Sequence, residues 1–238
     1  MRQWDITAKN EMKTLKFKWL PFFLCAGLCM ALLSCEGNEP TNSLSNEENE
    51  NGIKNEIGDG RLIIGKWHTV NSRNGVDLVF TFASNGEGCR NGDTFGYWSY
   101  TPETKLLATT LGDWSWNLNI LTTHAMQGIT TGNGRSNGFD RRTYVDENPK
   151  LIIGKWKDDN NTTECIFDGK NYTLTQDGAT KKGTYIVNIT KGSDITNNKA
   201  TLTLDGTTYE LENLQGGYIS FSTKVGNNKI EYGLYYVK

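Results

Sequence analysis

Past residue 60 the chain holds few groups able to do covalent or metal chemistry: two histidines, His68 and His124, and two cysteines, Cys89 and Cys165. A histidine works as a base only within reach of a nucleophile or substrate, and neither stands in a serine or cysteine motif of that kind. His68, directly after a tryptophan, reads as a partly exposed polar side chain. The sequence contains no His-Glu-x-x-His, nucleophile elbow, paired metal cysteines or phosphate loop. Asp158-Asp159-Asn160-Asn161 sets oxygen donors side by side, whereas calcium loops space them at alternate positions, so this tetrad reads as a solvated turn. Cys89 falls in a Gly-rich turn and Cys165 in a strand. In an oxidising compartment they either pair across two domains or stay as thiols, and spacing does not decide which. The chemistry legible here is recognition rather than catalysis, with no cofactor and no metal.

Aromatic side chains are the better candidates, and comparing the chain with itself isolates three. Leu62-Ile63-Ile64-Gly65-Lys66-Trp67 recurs letter for letter as Leu151-Ile152-Ile153-Gly154-Lys155-Trp156, 89 residues later, which marks a duplicated module. Each copy passes from an apolar run through a glycine (Gly65, Gly154), where another group can approach closely, to a tryptophan (Trp67, Trp156) large enough to close a core. Gly96 before Tyr97-Trp98 answers Gly183 before Thr184-Tyr185, Trp116-Asn117-Leu118 answers Tyr209-Glu210-Leu211, and the copies finish on Tyr144-Val145 and Tyr236-Val237. In this register Trp98 and Tyr100 face inward with Tyr185 and Val187. Phe95 and Tyr97 fall outward, where the second copy has Lys182 and Thr184, and Trp114 stands opposite Thr207. Phe95, Tyr97 and Trp114 are thus expected as an exposed aromatic group, suited to stacking on a sugar ring or seating a protein. The competing reading packs them against the second module, because the link Asp146 to Pro149 is short.

These residues need strands to position them. In the first module, residues 61–147, Val76, Leu78, Phe80 and Phe82 alternate with Asp77, Val79 and Thr81 up to the turn Ser84-Asn85-Gly86. Further strands are expected over Gly96 to Tyr100, Lys105 to Thr110, Trp114 to Leu121 and Asp140 to Val145. The second module, residues 148–238, alternates more cleanly, as in Tyr185, Val187 and Ile189 or Ile230, Tyr232 and Leu234. Its turns, Asp168-Gly169, Asp177-Gly178, Asp205-Gly206, Gly216-Gly217 and Gly226-Asn227-Asn228, are hairpin chemistries that tolerate positive φ. No segment keeps a helical period. The fold class is all-β, two tandem antiparallel meanders, each closing into a small barrel of about eight strands that leaves no edge exposed.

The N-terminus speaks to compartment. Lys13, Lys16 and Lys18 precede an apolar stretch from Trp19 to Leu33, too short for the roughly 20 residues that span a bilayer as a helix, so residues 1–34 read as a secretory signal. Met12 serves as a start as well as Met1. Leu32-Leu33-Ser34-Cys35 resembles the lipobox of bacterial lipoproteins, which implies cleavage before Cys35 and acylation of its thiol, so that lipid holds the chain to a membrane. Residues 35–60 carry seven acidic groups against Lys54 alone, a composition expected to stay disordered as a tether. Cys35-Glu36-Gly37-Asn38-Glu39 is similar to the surface-export signal of Bacteroidota lipoproteins, which implies the outer membrane, facing outward. Residues 61–238 hold 19 basic and 18 acidic groups. A body so near neutrality offers no field to attract nucleic acid.

Gly65-Lys66-Trp67 and Gly154-Lys155-Trp156, each opening a β meander, resemble the Gly-x-Trp start of lipocalins and the related avidin group, and the layout is similar to the lipocalin-like domains of Bacteroidota surface lipoproteins. Lipocalins place an arginine late in the barrel over the signature tryptophan. The first module has Arg141 and Arg142 near its end, while the last strand of the second has none. The resemblance implies a surface-anchored, non-catalytic lipoprotein that binds a small apolar molecule or a glycan. Both modules are shorter than a lipocalin, and their inward Tyr, Trp, Phe, Leu and Ile suit packing an interior. Filled barrels would instead imply a structural or protein-binding accessory subunit, such as an inhibitor or a partner in an outer-membrane complex.

Overall fold

Alternation of apolar and polar side chains runs through most of the sixteen strands among the described residues. The computed structural model describes residues 60–71 and 74–238; the stretch read as a signal peptide, Cys35 and the stretch read as a tether, up to residue 59, lie outside them. The first barrel consists of β1 (Gly65–Val70), β2 (Asp77–Phe82), β3 (Glu87–Arg90), β4 (Asp93–Thr101), β5 (Leu106–Thr109), β6 (Trp116–Leu121), β7 (Ala125–Thr130) and β8 (Ser136–Arg142). The second consists of β9 (Gly154–Lys157), β10 (Thr163–Phe167), β11 (Asn171–Gln176), β12 (Ala179–Thr190), β13 (Lys199–Leu204), β14 (Thr207–Leu214), β15 (Tyr218–Val225) and β16 (Asn228–Val237). In both, neighbours in sequence are neighbours in the sheet, and the last strand pairs with the first. The chain therefore forms the all-β pair of closed antiparallel barrels expected of it, an architecture consistent with lipocalin-like barrels.

The twin hexapeptides occupy like settings. Each begins in a short 3-10 turn and enters the first strand at a glycine with positive φ, +150° at Gly65 and +136° at Gly154. Trp67 and Trp156 are fully buried, and each indole N–H donates to the carbonyl four residues back, Ile63 or Ile152, at 2.7 Å. A Cβ at Gly65 would lie 2.7 Å from Arg141 Nη1, and one at Gly154 would lie 2.7 Å from the Tyr236 ring. Both positions thus need glycine for backbone and for space.

What covers each tryptophan separates the copies. Arg141, opposite Trp67 on β8, stands over its ring at 4.1 Å and donates to the carbonyls of Thr123, Ile64 and Leu62 and to Gln215 Oε1. Opposite Trp156 on β16 is Tyr236. The cation comes instead from Arg61, ahead of the first barrel, whose guanidinium lies 4.1 Å from the Tyr236 ring centre and 5.2 Å from that of Trp156. It donates to the carbonyls of Gly216, Ile153 and Leu151. Burial lowers the proton affinity of both guanidiniums, against the pull of nearby tyrosines, to about 10 for Arg61 and about 9 for Arg141, so both stay charged at neutral pH. The arginine absent from the last strand of the second module is thus supplied by the first.

The structure departs from the sequence-based expectation at several places. β3 and β7 were not expected, because β3 is glycine-flanked and lacks alternation, and β7 turns Gly128 inward, where a Cβ would crowd Leu118 and Trp116. Cys89 sits on β3, not in a turn. The last strand of the first barrel ends at Arg142; Tyr144 and Val145 leave it, and Val145 bridges to Leu214 of β14. Tyr144-Val145 and Tyr236-Val237 are therefore not equivalent, and Tyr236 answers Arg141. Finally, Gly216 and Gly217 have no positive φ. They are glycines because the Arg61 carbonyl and the Arg141 guanidinium approach where their Cβ atoms would be.

Ring packing fills both interiors. In the first, Phe80 stacks on Phe82 at 6.2 Å and meets Trp116 edge-on at 5.2 Å, with Trp98 beside Phe82 and Phe139 beside Trp116. In the second, Phe167 packs on Tyr185, and Phe221 on Tyr209 and Tyr232. Eight strands leave room for little more than side chains. Cys89 and Cys165 are buried and unbonded. Burial pushes the Cys89 thiol up and that of Cys165 to about 12. A thiol reagent in a timed labelling experiment is therefore expected to modify neither in the folded chain and both after unfolding.

Candidate functional site

The first barrel carries a cleft at the end away from Gly65, where β1 ends, β4 and β6 begin, and β7 turns into β8. Here the two copies differ in loop length. The β5–β6 connection spans residues 110–115 and the β7–β8 connection 131–135, whereas their counterparts in the second barrel are the two-residue turns 205–206 and 226–227. The longer loops wall a cleft of about 190 Å³ lined by Asn71, Asp113, Trp114, Thr130, Asn133, Arg135 and Asn137.

Local bonding holds this mouth in shape. Thr130 Oγ1 donates to Asn133 Oδ1, and the Arg135 backbone N–H lies within 3.1 Å of both Asn133 Oδ1 and Thr130 Oγ1. Trp114 leans on Phe80 at 5.6 Å and on Trp116 at 6.1 Å, with the Arg90 guanidinium 5.8 Å from its ring centre. Four of the five barrel indoles donate their N–H within the protein: Trp67 to Ile63, Trp98 to Ala83, Trp116 to Asn137 and Trp156 to Ile152. The Trp114 N–H meets no acceptor among the described residues. Asn137, 6% exposed on β8, accepts from Trp116 through Oδ1, while its Nδ2 has no acceptor among the described residues. A buried donor left unpaired costs about 1–3 kcal/mol, so this one, lining a cleft, is a place for a ligand acceptor.

Of the three aromatics expected to form the site, the structure places only Trp114 in the cleft. Phe95 is not outward. A bulge in β3–β4 pairs Gly88 with Gly96 and then Cys89 with Thr94, leaving Phe95 without a partner and turning its ring inward against Phe80 and Phe82 at 6.5 Å. Gly88 makes room, since a Cβ there would collide with that ring. Tyr97 faces outward as expected, 57% exposed on the barrel wall. Phe95→Ser is therefore expected to cost about 2–4 kcal/mol in thermal or denaturant unfolding, and Tyr97→Ser within about 0.5 kcal/mol. The polar members Asp113, Asn133, Arg135 and Asn137 escaped the sequence reading, although the greater loop length in one copy was a visible sign of them.

No protein-family model, curated protein or solved structure matches the chain. The other reactive residues make local contacts. His68 Nε2 lies 3.0 Å from Asp77 Oδ1 across β1 and β2. The His124 ring lies tilted against that of Tyr235 at 3.9 Å, with Asp159 at 3.6 Å. Asp158 accepts from Thr162 Oγ1 and the Thr163 N–H, closing its own turn. A second cleft, about 310 Å³ beside Leu62, Tyr100, Pro102 and Leu118, has no buried polar residue in its lining.

Proposed function

We propose that the chain is a surface-anchored, non-catalytic lipoprotein whose first barrel binds a glycan at its mouth. The reading is carried by Trp114, whose ring lines a polar cleft with its N–H unpaired among the described residues. An aromatic wall beside amide, hydroxyl and charged groups suits a sugar ring, which has an apolar face and a hydroxylated edge. A small apolar molecule is the weaker alternative, because aromatic side chains occupy both interiors. Anchoring rests on the lipobox-like Leu32-Leu33-Ser34-Cys35 and the acidic residues that follow, which support acylation of Cys35 and outward display at the outer membrane. Saturation-transfer NMR against a panel of bacterial and host glycans tests the site. Trp114→Ala is expected to abolish glycan signals that Tyr97→Ser retains, and equal signals from both variants would overturn the assignment.

The filled interiors also favour a second reading, an accessory subunit that binds protein through its outer surface. Affinity purification of crosslinked complexes from intact cells would then recover a stoichiometric partner whose capture does not depend on Trp114.

A further inference from the structure

We infer that the ligand of the first barrel's mouth is acidic, a single pyranose ring carrying a carboxylate. This rests on the proposed glycan reading and adds the chemical class. On the donor side, Asn137 Nδ2 and Trp114 Nε1 have no protein acceptor among the described residues, and two guanidiniums stand close by, Arg135 in the cleft wall and Arg90 over Trp114. The eight ion pairs among the described residues are all made by lysine or histidine, so neither arginine is matched to a carboxylate there.

On the acceptor side, Asn133 Oδ1 already takes two hydrogen bonds and Asn137 Oδ1 takes one from Trp116. Asp113 is the carboxylate in the lining. The cleft lining thus pairs one cation, Arg135, with one carboxylate, Asp113, and Arg90 beside Trp114 adds a second cation that no carboxylate in the lining answers. A guanidinium's planar fork matches a carboxylate through two parallel bonds. A neutral hexose would leave that charge unanswered. A bare phosphate or acetate would answer it but leave the Trp114 wall without an apolar ring face, and a dianion would also meet Asp113. A uronate supplies the carboxylate, the ring face and hydroxyls that donate to Asp113. The volume, about 190 Å³, is below the roughly 300 Å³ at which drug-sized pockets begin, which limits the occupant to one ring.

The test is titration of the full chain, ¹⁵N-labelled on tryptophan, with galacturonate, galactose, acetate and inorganic phosphate, reading the Trp114 indole signal. Galacturonate is expected to shift it with at least tenfold tighter binding than galactose, and Arg135→Gln to bring the two sugars within about twofold. Acetate and phosphate are expected to produce no saturable shift. Galactose binding as tightly as galacturonate, an undiminished preference in Arg135→Gln, or acetate or phosphate matching the uronate would overturn the acidic assignment. The first two outcomes leave the glycan reading standing. No response to either sugar would remove both.

Discussion

Replacing Arg61 by alanine is expected to lower the melting temperature of the chain by about 10 °C, although the residue lies ahead of the first barrel and acts on the second. The guanidinium donates to three carbonyls, of Gly216, Ile153 and Leu151, and lies over the rings of Trp156 and Tyr236. Truncation strands those carbonyls and removes a desolvated cation–π contact, together worth about 3–5 kcal/mol. For a body of this size each kcal/mol moves the midpoint by roughly 2–4 °C. Arg61→Lys keeps the charge but loses the fork, and should fall between wild type and alanine. Calorimetry decides. A midpoint within about 2 °C of wild type for Arg61→Ala would mean that the second tryptophan does not depend on this cover.

Asp146→Ala is expected to cost about 3–4 kcal/mol at the junction of the barrels. Asp146 is fully buried and accepts from the Ser84 N–H and hydroxyl, the Asn148 N–H and the Tyr144 hydroxyl. It thereby ties the β2–β3 turn to the link, whose backbone pairs with Leu214 of the second barrel. Burial pushes the Asp146 carboxyl above its ordinary value, though its hydrogen bonds pull it back. A carboxyl raised in the folded state holds a proton that the unfolded chain has already released. Its contribution to stability is therefore full below the ordinary carboxylate pKa and declines as pH rises through the raised one. The cost of Asp146→Ala should accordingly be larger at about pH 4 than at about pH 8 in urea unfolding. Asp205 and Glu212 have the opposite sign: hydrogen bonds hold them low, and their contribution is lost in acid. A cost for Asp146→Ala that grew with pH would contradict this assignment.

Much of the architecture was legible in the sequence. The repeated hexapeptide and the two-residue alternation sufficed for a duplicated all-β body, because those patterns set which face each side chain takes. What stayed hidden depends on contacts between segments far apart in the chain. The β3–β4 bulge shifts the register by one residue and moves Phe95 from the wall to the core, and no local pattern announces it. Arg61 lies 95 residues before Trp156, so its role in the second barrel is a tertiary fact. Asp113, Asn133 and Arg135 of the cleft lie in loops, where periodicity carries no information. Only Trp114 was reachable, through comparison of the two copies.

The proposed recognition takes place at the first mouth because side chains occupy both interiors. Its most direct test follows the five barrel indole N–H signals by NMR while the full chain is titrated separately with a sugar and with a fatty acid such as laurate. The expected result is movement of Trp114, and of Trp116 bonded to Asn137, with the sugar alone, while Trp67, Trp98 and Trp156 keep their positions. Saturable shifts of Trp98, Trp116 or Trp156 with laurate would show an interior open to ligand and contradict the account.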